Sequence, residues 1–485
     1  MPIPWLFVAA TTVASQTPPA APRDPRSQAL TIKDALYQIP EVTGRIVPVG
    51  DADGDGIGDL VIERGKKHYQ SDRIDLVSTK TGALIRTLWR RTESQVIPPA
   101  WDAAGGGEDG VDLYLGFPDA DGGAGRVLAV SGKTGEAKYQ IKGAPGDRLG
   151  SSIVAVRDVA GVASAKLCIG AVQYDPKKQL IDRPIASESQ TFKGNKVSSY
   201  ITFQDGTTVE RGAYMLERLQ ARSTLPGYVT LRNARDGSEL WRADGSVSGL
   251  GLGSHVSCAG DVDADHEVDV LAQCDLNAAL PILVLSGATG KELSRLDHLH
   301  GWAGCVGDLD GDGVPDLFLD QQDENLVGRS GRVRMVSGKT HKTLFELPYP
   351  DAWDEYEATV PLGDVDGDGV ADVALGAPNF NLLASGNPGY VPGNDPDLEH
   401  MSLSDALKLE SEPWCAFTWE SGCAIVYSGR THEAIFGVWA APGTRRGLGL
   451  AVARVPDVDG DGFPDLIVSD QDIAYVFAGP GPEKK

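Results

Sequence analysis

One nine-residue pattern recurs five times along this chain: three aspartates at alternate positions, small residues between them, and a fourth aspartate at position nine. The copies are Asp51-Asp53-Asp55-Asp59, Asp261-Asp263-Asp265-Asp269, Asp308-Asp310-Asp312-Asp316, Asp364-Asp366-Asp368-Asp372 and Asp457-Asp459-Asp461-Asp465. Each passes at once into a short apolar run: LVIE, VLAQ, LFLD, VALG and LIVS. A loop-and-strand unit recurring about every 50 residues is the signature of a propeller or array, whose repeats bury their faces only against one another.

The clearest copy, DVDGDGVAD from Asp364 to Asp372, shows what the pattern can do. Asp364, Asp366 and Asp368 converge on one point if the backbone curls tightly, and Gly367 and Gly369 sit where such a curl demands positive φ. Asp372 closes the ring from the far side. Hard oxygen ligands in this number, with a backbone carbonyl and water completing the shell, suit Ca²⁺ better than the octahedral, water-retaining Mg²⁺. An EF-hand shares the first five positions but requires a bidentate Glu at position twelve; here position twelve is Leu375, inside the apolar run. The sequence thus predicts up to five calcium ions in a structural role. The copy at 261 carries Ala264 and His266 where the others have Gly. Non-glycine residues adopt the left-handed region less readily, so that site is expected to be the weaker one.

Two decayed copies fill the gaps. WDAAGGGEDGVDLYLGFP keeps Asp112 at position nine and its strand, but Asp102, Glu108 and Asp109 are out of step. From Asp158 to Lys166 the register survives, yet Ala160, Val162 and Lys166 replace ligands, and an ammonium at position nine repels a cation. Position nine falls at 59, 112, 166, 269, 316, 372 and 465, giving seven repeats.

A second element recurs downstream: STKTGALI (78–85), SGKTGEAK (131–138), NARDGSEL (233–240), SGATGKEL (286–293), SGKTHKTL (337–344) and SGRTHEAI (428–435). Apolar residues flank a tight turn on both sides, a hairpin signal. A third, Leu149-Gly150, Leu252-Gly253 and Leu448-Gly449, precedes some metal loops. Together these read as strand a, metal loop, strand b, connection, strand c, turn, strand d. Four antiparallel strands repeated seven times make an all-β, seven-bladed β-propeller. The last repeat ends after IAYVFA with no strand d, while the first has an extra segment, Ala29 to Ile39, whose ALTI and ALYQI could pair. This segment is predicted to supply the missing outer strand of the last blade and to remove two open sheet edges.

These motifs, DxDGDGxxD, an apolar strand ending in Gly376-Ala377-Pro378 or Gly116-Phe117-Pro118, Ser-Gly-Lys-Thr-Gly and the upstream Leu-Gly, resemble the FG-GAP repeats of integrin α-subunit propellers and their bacterial relatives. The resemblance covers residues 40 to 480. It implies calcium in the loops and blades that serve adhesion or ligand recognition. The sequence differs in having five metal loops around the ring and, within its 485 residues, neither an inserted metal-dependent adhesion domain nor leg domains. An integrin's own ligand specificity therefore does not transfer.

The formal net charge of -24 argues against nucleic acid, which binds through Lys and Arg. Five bound Ca²⁺ would offset part of it. Residues 1–15, with the apolar stretch WLFVAATTVA and a small-residue end at Val13-Ala14-Ser15, are predicted to be a secretory signal peptide, although the usual basic start is missing. A Pro-rich linker over 16–27, one propeller over 28–480 and a tail over 481–485 complete the expected layout. No apolar run of 18 residues exists, so no membrane span is expected. The expected location is the cell exterior or surface, or the periplasm, and the expected state a monomer. The six cysteines permit disulfides, with Cys415 and Cys423 the best-placed pair.

Strand parity puts metal loops and c–d turns at one end of the blades. The two surplus stretches, about 173–226 and 379–414, lie between strands b and c and so belong to the opposite face. Loops on a rigid scaffold are where binding resides. The first stretch holds a hairpin-like segment (198–212) and a predicted helix (213–222), the second a helix over 404–410 with Ser404 as N-cap. Tyr200, Tyr390 and Trp414 are candidates to stack on sugar or peptide, or to pin the insertions to the scaffold. Lys66-Lys67-His68 either meets an acidic ligand or is a solvated loop. No HExxH, GxSxG, P-loop or CxxC motif occurs. Since propellers host enzymes as well as binders, three functions stand: a protein- or glycan-binding adhesion module, which the repeats favour; a carbohydrate-active lyase or hydrolase; and a purely structural module.

Overall fold

The computed structural model describes residues 30–65, 71–91, 100–105, 110–157, 163–173, 185–193, 196–203, 207–210, 226–245, 251–274, 281–296, 303–321, 332–348, 358–378, 422–440, 447–479 and 481. The chain forms a seven-bladed β-propeller of four-stranded antiparallel sheets, as the repeat count predicts. In order a to d, blade one runs Val42–Pro48, Leu60–Arg64, Arg73–Val77 and Leu84–Arg90, and blade two Ala100–Gly105, Val111–Phe117, Arg126–Ser131 and Ala137–Lys142. Blade three is Leu149–Arg157, Ala163–Ala171, Tyr228–Asn233 and Glu239–Asp244; blade four His255–Gly260, Asp269–Gln273, Ile282–Leu285 and Glu292–Leu296. Blade five is Ala303–Gly307, Asp316–Gln321, Arg332–Val336 and Thr343–Pro348; blade six Ala358–Gly363, Asp372–Ala377, Cys423–Tyr427 and Ala434–Trp439.

Blade seven takes Ala451–Val455, Asp465–Ser469 and Ile473–Phe477 from the end of the sequence and its outer strand, Tyr37–Pro40, from the beginning. Tyr37 stands opposite Val476 and Pro40 opposite Ile473, antiparallel. ALTI and ALYQI do not pair with each other. Leu30–Thr31 instead adds in parallel to the outer strand of blade six, at Val438 and Trp439. A 3-10 turn over Ile32–Asp34, capped by the Thr31 side chain, carries the chain from one blade to the next.

The b strands carry runs of consecutive apolar residues because each blade is covered on both faces by its neighbours. Leu60, Val61 and Ile62 are fully buried, as are Leu466 and Ile467. The core is accordingly divided into seven clusters, one at each junction between consecutive blades. The junction of Val42, Ile46, Leu60 and Ile62 with Ala453, Val455, Ile467 and Val476 closes the ring.

Glycine sets how closely some blades approach. Gly376, the first residue of the GAP triplet, lies against Gly449 of the next blade, and a Cβ there would sit 2.1 Å from the Gly449 carbonyl oxygen. Gly116 meets Gly150 and Gly170 meets Gly253 in the same way. The recurring Leu-Gly is therefore the partner surface for the strand-b glycine of the preceding blade. Gly376→Ala is expected to push blades six and seven apart and cost about 1–3 kcal/mol in a urea melt; an unchanged midpoint would contradict this packing.

The antiparallel a–b and b–c pairings send the b–c connections off the end opposite the metal loops. In the blade-three connection, Lys196–Phe203 and Thr208–Glu210 form the expected hairpin, joined on its other side by Ile185–Lys193 in a separate three-stranded sheet. The predicted helices, the 379–414 insertion and Lys66-Lys67-His68 lie outside the described residues. So does Cys415; Cys423 opens strand c of blade six and is buried. Among the described residues no helix is long and apolar enough to cross a membrane.

Candidate metal centres

Each loop is shaped by its own carboxylates. In blade six Asp364 Oδ1 accepts from the N–H groups of Gly367 (2.7 Å) and Asp368 (3.1 Å), and Oδ2 from Gly369 (2.9 Å). Asp366 Oδ1 accepts from Asp368 N (3.1 Å), and Asp368 Oδ1 from Val370 N (2.8 Å). Short acidic side chains favour such local backbone bonds. Gly367 and Gly369 have φ of 77° and 88°, the left-handed turn that the curl demands. Much the same bonding recurs in the loops beginning at Asp51, Asp308 and Asp457. In three blades a β-bulge just before the loop pairs the last glycine of strand a with the position-nine aspartate: Gly260 with Asp269, Gly307 with Asp316 and Gly363 with Asp372.

The position-nine aspartates are the most deeply buried members, 0% exposed at Asp269, Asp316, Asp372 and Asp465 and 1% at Asp59. Each fastens two segments. Asp372 Oδ2 accepts from Val365 N inside the loop (2.9 Å), while Oδ1 accepts from Gly429 N in the c–d turn (3.1 Å). Asp269 does the same with Val262 and Gly287, both at 2.8 Å. Asp59 bonds Ala52 and Thr79, Asp316 bonds Leu309 and Gly338, and Asp465 bonds Val458 and Gly479. The Ser-Gly-Lys-Thr hairpin and the metal loop are thus one unit.

Carboxylate oxygens gather within 4.8 Å of one another in all five loops: from Asp51, Asp53 and Asp59; Asp308, Asp310 and Asp316; Asp364, Asp366 and Asp372; Asp457, Asp459 and Asp465; and Asp261, Asp263 and Asp265. In the first four it is positions one, three and nine that meet, in the last positions one, three and five. Ala264 and His266 hold φ of 61° and 70°, so that loop keeps the common backbone at the cost of two non-glycine residues in the left-handed region.

Burial raises the proton affinity of the five position-nine carboxyls. Burial, with smaller contributions from Asp366 and Asp368, pushes Asp372 up to about 7 against the pull of its two backbone bonds. Asp465 is likewise pushed to about 7 and Asp269 to about 6, burial again leading. A buried carboxyl of raised proton affinity set among other hard oxygens fits a divalent cation of oxygen-preferring chemistry, and Ca²⁺ by the number of ligands. In the loops of blades one, five, six and seven the position-five aspartates, Asp55, Asp312, Asp368 and Asp461, are not among the convergent carboxylates.

Blades two and three hold their charges with protein cations. Asp112 accepts from Lys138 Nζ at 2.5 Å. Asp102, which the sequence leaves out of step, lies on strand a, buried, and takes two 2.8 Å bonds from Arg157 Nη1 and Nη2 of the next blade. Burial alone would raise the Asp102 carboxyl, but Arg157 holds it below its ordinary value. Lys166 reaches across to Glu267 in the fourth blade's metal loop. None of these pairings has a sequence signal of its own, because the partners stand on different strands or in different blades.

Tyr200 lies half-buried in the side sheet, opposite Ser189 and Glu210, whereas Tyr390 and Trp414 are outside the described residues.

Comparison with known proteins agrees with the motifs. The FG-GAP repeat family model matches residues 358–392, which begin at strand a of blade six and include its metal loop. Integrin alpha-4 of Xenopus laevis is 28% identical over 193 residues, 39% of this chain and 15% of that protein. Integrin alpha-5 of Xenopus laevis is 24% identical over 215 residues, 41% of this chain, and integrin alpha-PS2 of Drosophila melanogaster 25% identical over 191 residues, 38% of this chain. The matches span 12 to 18% of the length of these relatives. Among solved structures, Sqt1 of Saccharomyces cerevisiae covers 93% of this chain at 9% identity, with a TM-score of 0.42. The chain is thus a propeller that carries an FG-GAP repeat and is similar in sequence to integrin α-subunits.

Proposed function

We propose that this protein is a calcium-binding adhesion module of the cell exterior or surface, whose metal is structural and whose ligand is a protein or a glycan. The observation that carries the calcium reading is the repeated convergence of three carboxylates, one of them in four loops the buried position-nine aspartate. That aspartate is bonded to backbone on both oxygens, which leaves it a clasp between loop and hairpin rather than a group free to move a proton. Ligand binding belongs to the face opposite, where the b–c connections emerge, since the metal end is occupied with holding the blades. The kinship with integrin α-subunits supports recognition of a partner rather than catalysis.

Asp372→Ala and Lys166→Ala separate the roles. Asp372→Ala is expected to remove about one-fifth of the calcium-dependent stabilisation, about 1.4 kcal/mol when the ion is at ten times its dissociation constant. Lys166→Ala removes no ligand, only the cation paired with Glu267 of the fourth blade's loop, and should lose none of that increment. Equal losses in calcium-dependent melts would contradict the assignment. Ligand class is tested with a glycan array and a pull-down, expected to depend on the insertions and to survive substitutions in the metal loops that leave the fold intact.

A further inference from the structure

In blades one, four, five and six the bond from the position-nine aspartate to the c–d turn fixes where the next residue of that turn points. In blades one, five and six the donor is Thr79, Gly338 or Gly429, and the residue after it is Lys80, Lys339 or Arg430. All three bring a cation to the position-five aspartate of their own metal loop. Arg430 Nε lies 3.1 Å from Asp368 Oδ2, and its Nη2 donates to the Asp368 carbonyl at 2.7 Å. Lys339 Nζ is 3.6 Å from Asp312 Oδ2 and 3.4 Å from the Asp312 carbonyl oxygen. Lys80 Nζ is 4.0 Å from Asp55 Oδ2. Blades four and seven have Ala288 and Pro480 at this position.

We infer that Lys80, Lys339 and Arg430 are built-in counter-cations that lower the calcium affinity of their own loops and hold the position-five carboxylate when the ion leaves. The inference rests on the calcium reading above and adds a regulation to it. Position five spends Oδ1 on the N–H of position seven, at 2.9 Å in blades one and five and 2.8 Å in blade six. Oδ2 is the oxygen not spent on that backbone bond, and it is the one the base faces. Ion and base compete for that oxygen and repel each other. In blade two a lysine from strand d, Lys138, is seated on position-nine Asp112 at 2.5 Å, where the other loop aspartates are out of register. Arg430 makes the firmest contact of the three, through two donors, so its loop should be the most strongly attenuated.

A fixed charge about 5 Å from a surface-bound dication weakens its binding by about tenfold at low salt, and by less as salt screens the pair. The test is calcium titration of the full chain by calorimetry, with melting curves in EDTA and in saturating calcium. Arg430→Gln should raise the affinity of one site about tenfold at low salt, the gain shrinking at high salt, while Arg430→Lys should stay near the parent protein. In EDTA Arg430→Gln should melt below the parent, and in calcium the gap should close or reverse. Combined with Asp372→Ala, or with the milder Asp364→Asn, the gain should vanish, which places it in blade six. Calcium binding that is unchanged or weaker in Arg430→Gln, with the parent's sites still titrating, would overturn the inference and leave the calcium reading standing. A parent protein that takes up no calcium would overturn both.

Discussion

Stripping calcium with EDTA is expected to lower the melting temperature by about 7 °C. At ten times its dissociation constant each independent ion contributes about 1.4 kcal/mol, so five contribute about 7 kcal/mol, and a ring that unfolds as one unit has an unfolding entropy of about 2.1 cal/mol/K per residue. The pH dependence adds a second signature. Asp372, Asp465 and Asp269 have folded values of about 7, 7 and 6 in the absence of metal, above the ordinary carboxylate value. Between the ordinary and the raised value the folded chain holds protons that the unfolded chain has lost, so the contribution of these groups to stability falls as pH rises through that window. Calcium takes the deprotonated form and so gains ground over the same window. The gap between melts with and without calcium should therefore widen from about pH 5 to about pH 8 and level off above. A gap that is absent, or that does not depend on pH, would contradict the role given to position nine.

Breaking the Arg157–Asp102 pair is expected to be as damaging, and indifferent to calcium. The Asp102 carboxylate is 5% exposed and accepts from Arg157 twice, from Ala155 N at 2.8 Å and from Ala103 N at 2.8 Å. Arg157→Met leaves that charge buried without its partner, which costs about 3–5 kcal/mol. The loss should be the same in EDTA and in calcium, because no metal ligand is touched. Asp102→Asn/Arg157→Met keeps an acceptor for one of the two backbone donors while removing the charge, and should recover part of the loss. A double variant no more stable than Arg157→Met would show that the guanidinium acts through its packing rather than its charge.

Features held by local interactions were legible from residues alone. The metal loops, the strand after each, the hairpin turns and the blade count all reside within single repeats, where a few adjacent residues fix the backbone. The positive φ at Gly367 and Gly369 was legible for that reason. Blade closure was legible as a missing strand at one end and a spare segment at the other, but not that the spare segment divides, Leu30–Thr31 joining blade six and Tyr37–Pro40 blade seven. Two residues carry too little pattern to reveal a partner about 400 positions away. Asp102 and Arg157 were invisible for a related cause: their meeting depends on how blades two and three stack. Lys80, Lys339 and Arg430 lay in plain view inside the recurring turn, and only the Asp372–Gly429 type of bond reveals what they face. The strand Ile185–Lys193 was missed because IASESQTFK has few apolar residues to set a period, whereas its neighbours 196–203 and 208–210 carry a stronger hairpin signal.

The number of ions the ring holds separates a calcium-clasped propeller from one whose aspartates serve only the backbone. Native mass spectrometry of the full chain after calcium loading, repeated after EDTA, counts them directly. Five calcium ions per chain, falling to four in Asp372→Ala and staying at five in Lys166→Ala, is the expected result. A chain that carries no calcium at saturating concentration, or whose count ignores Asp372, would contradict the assignment of these loops as metal clasps.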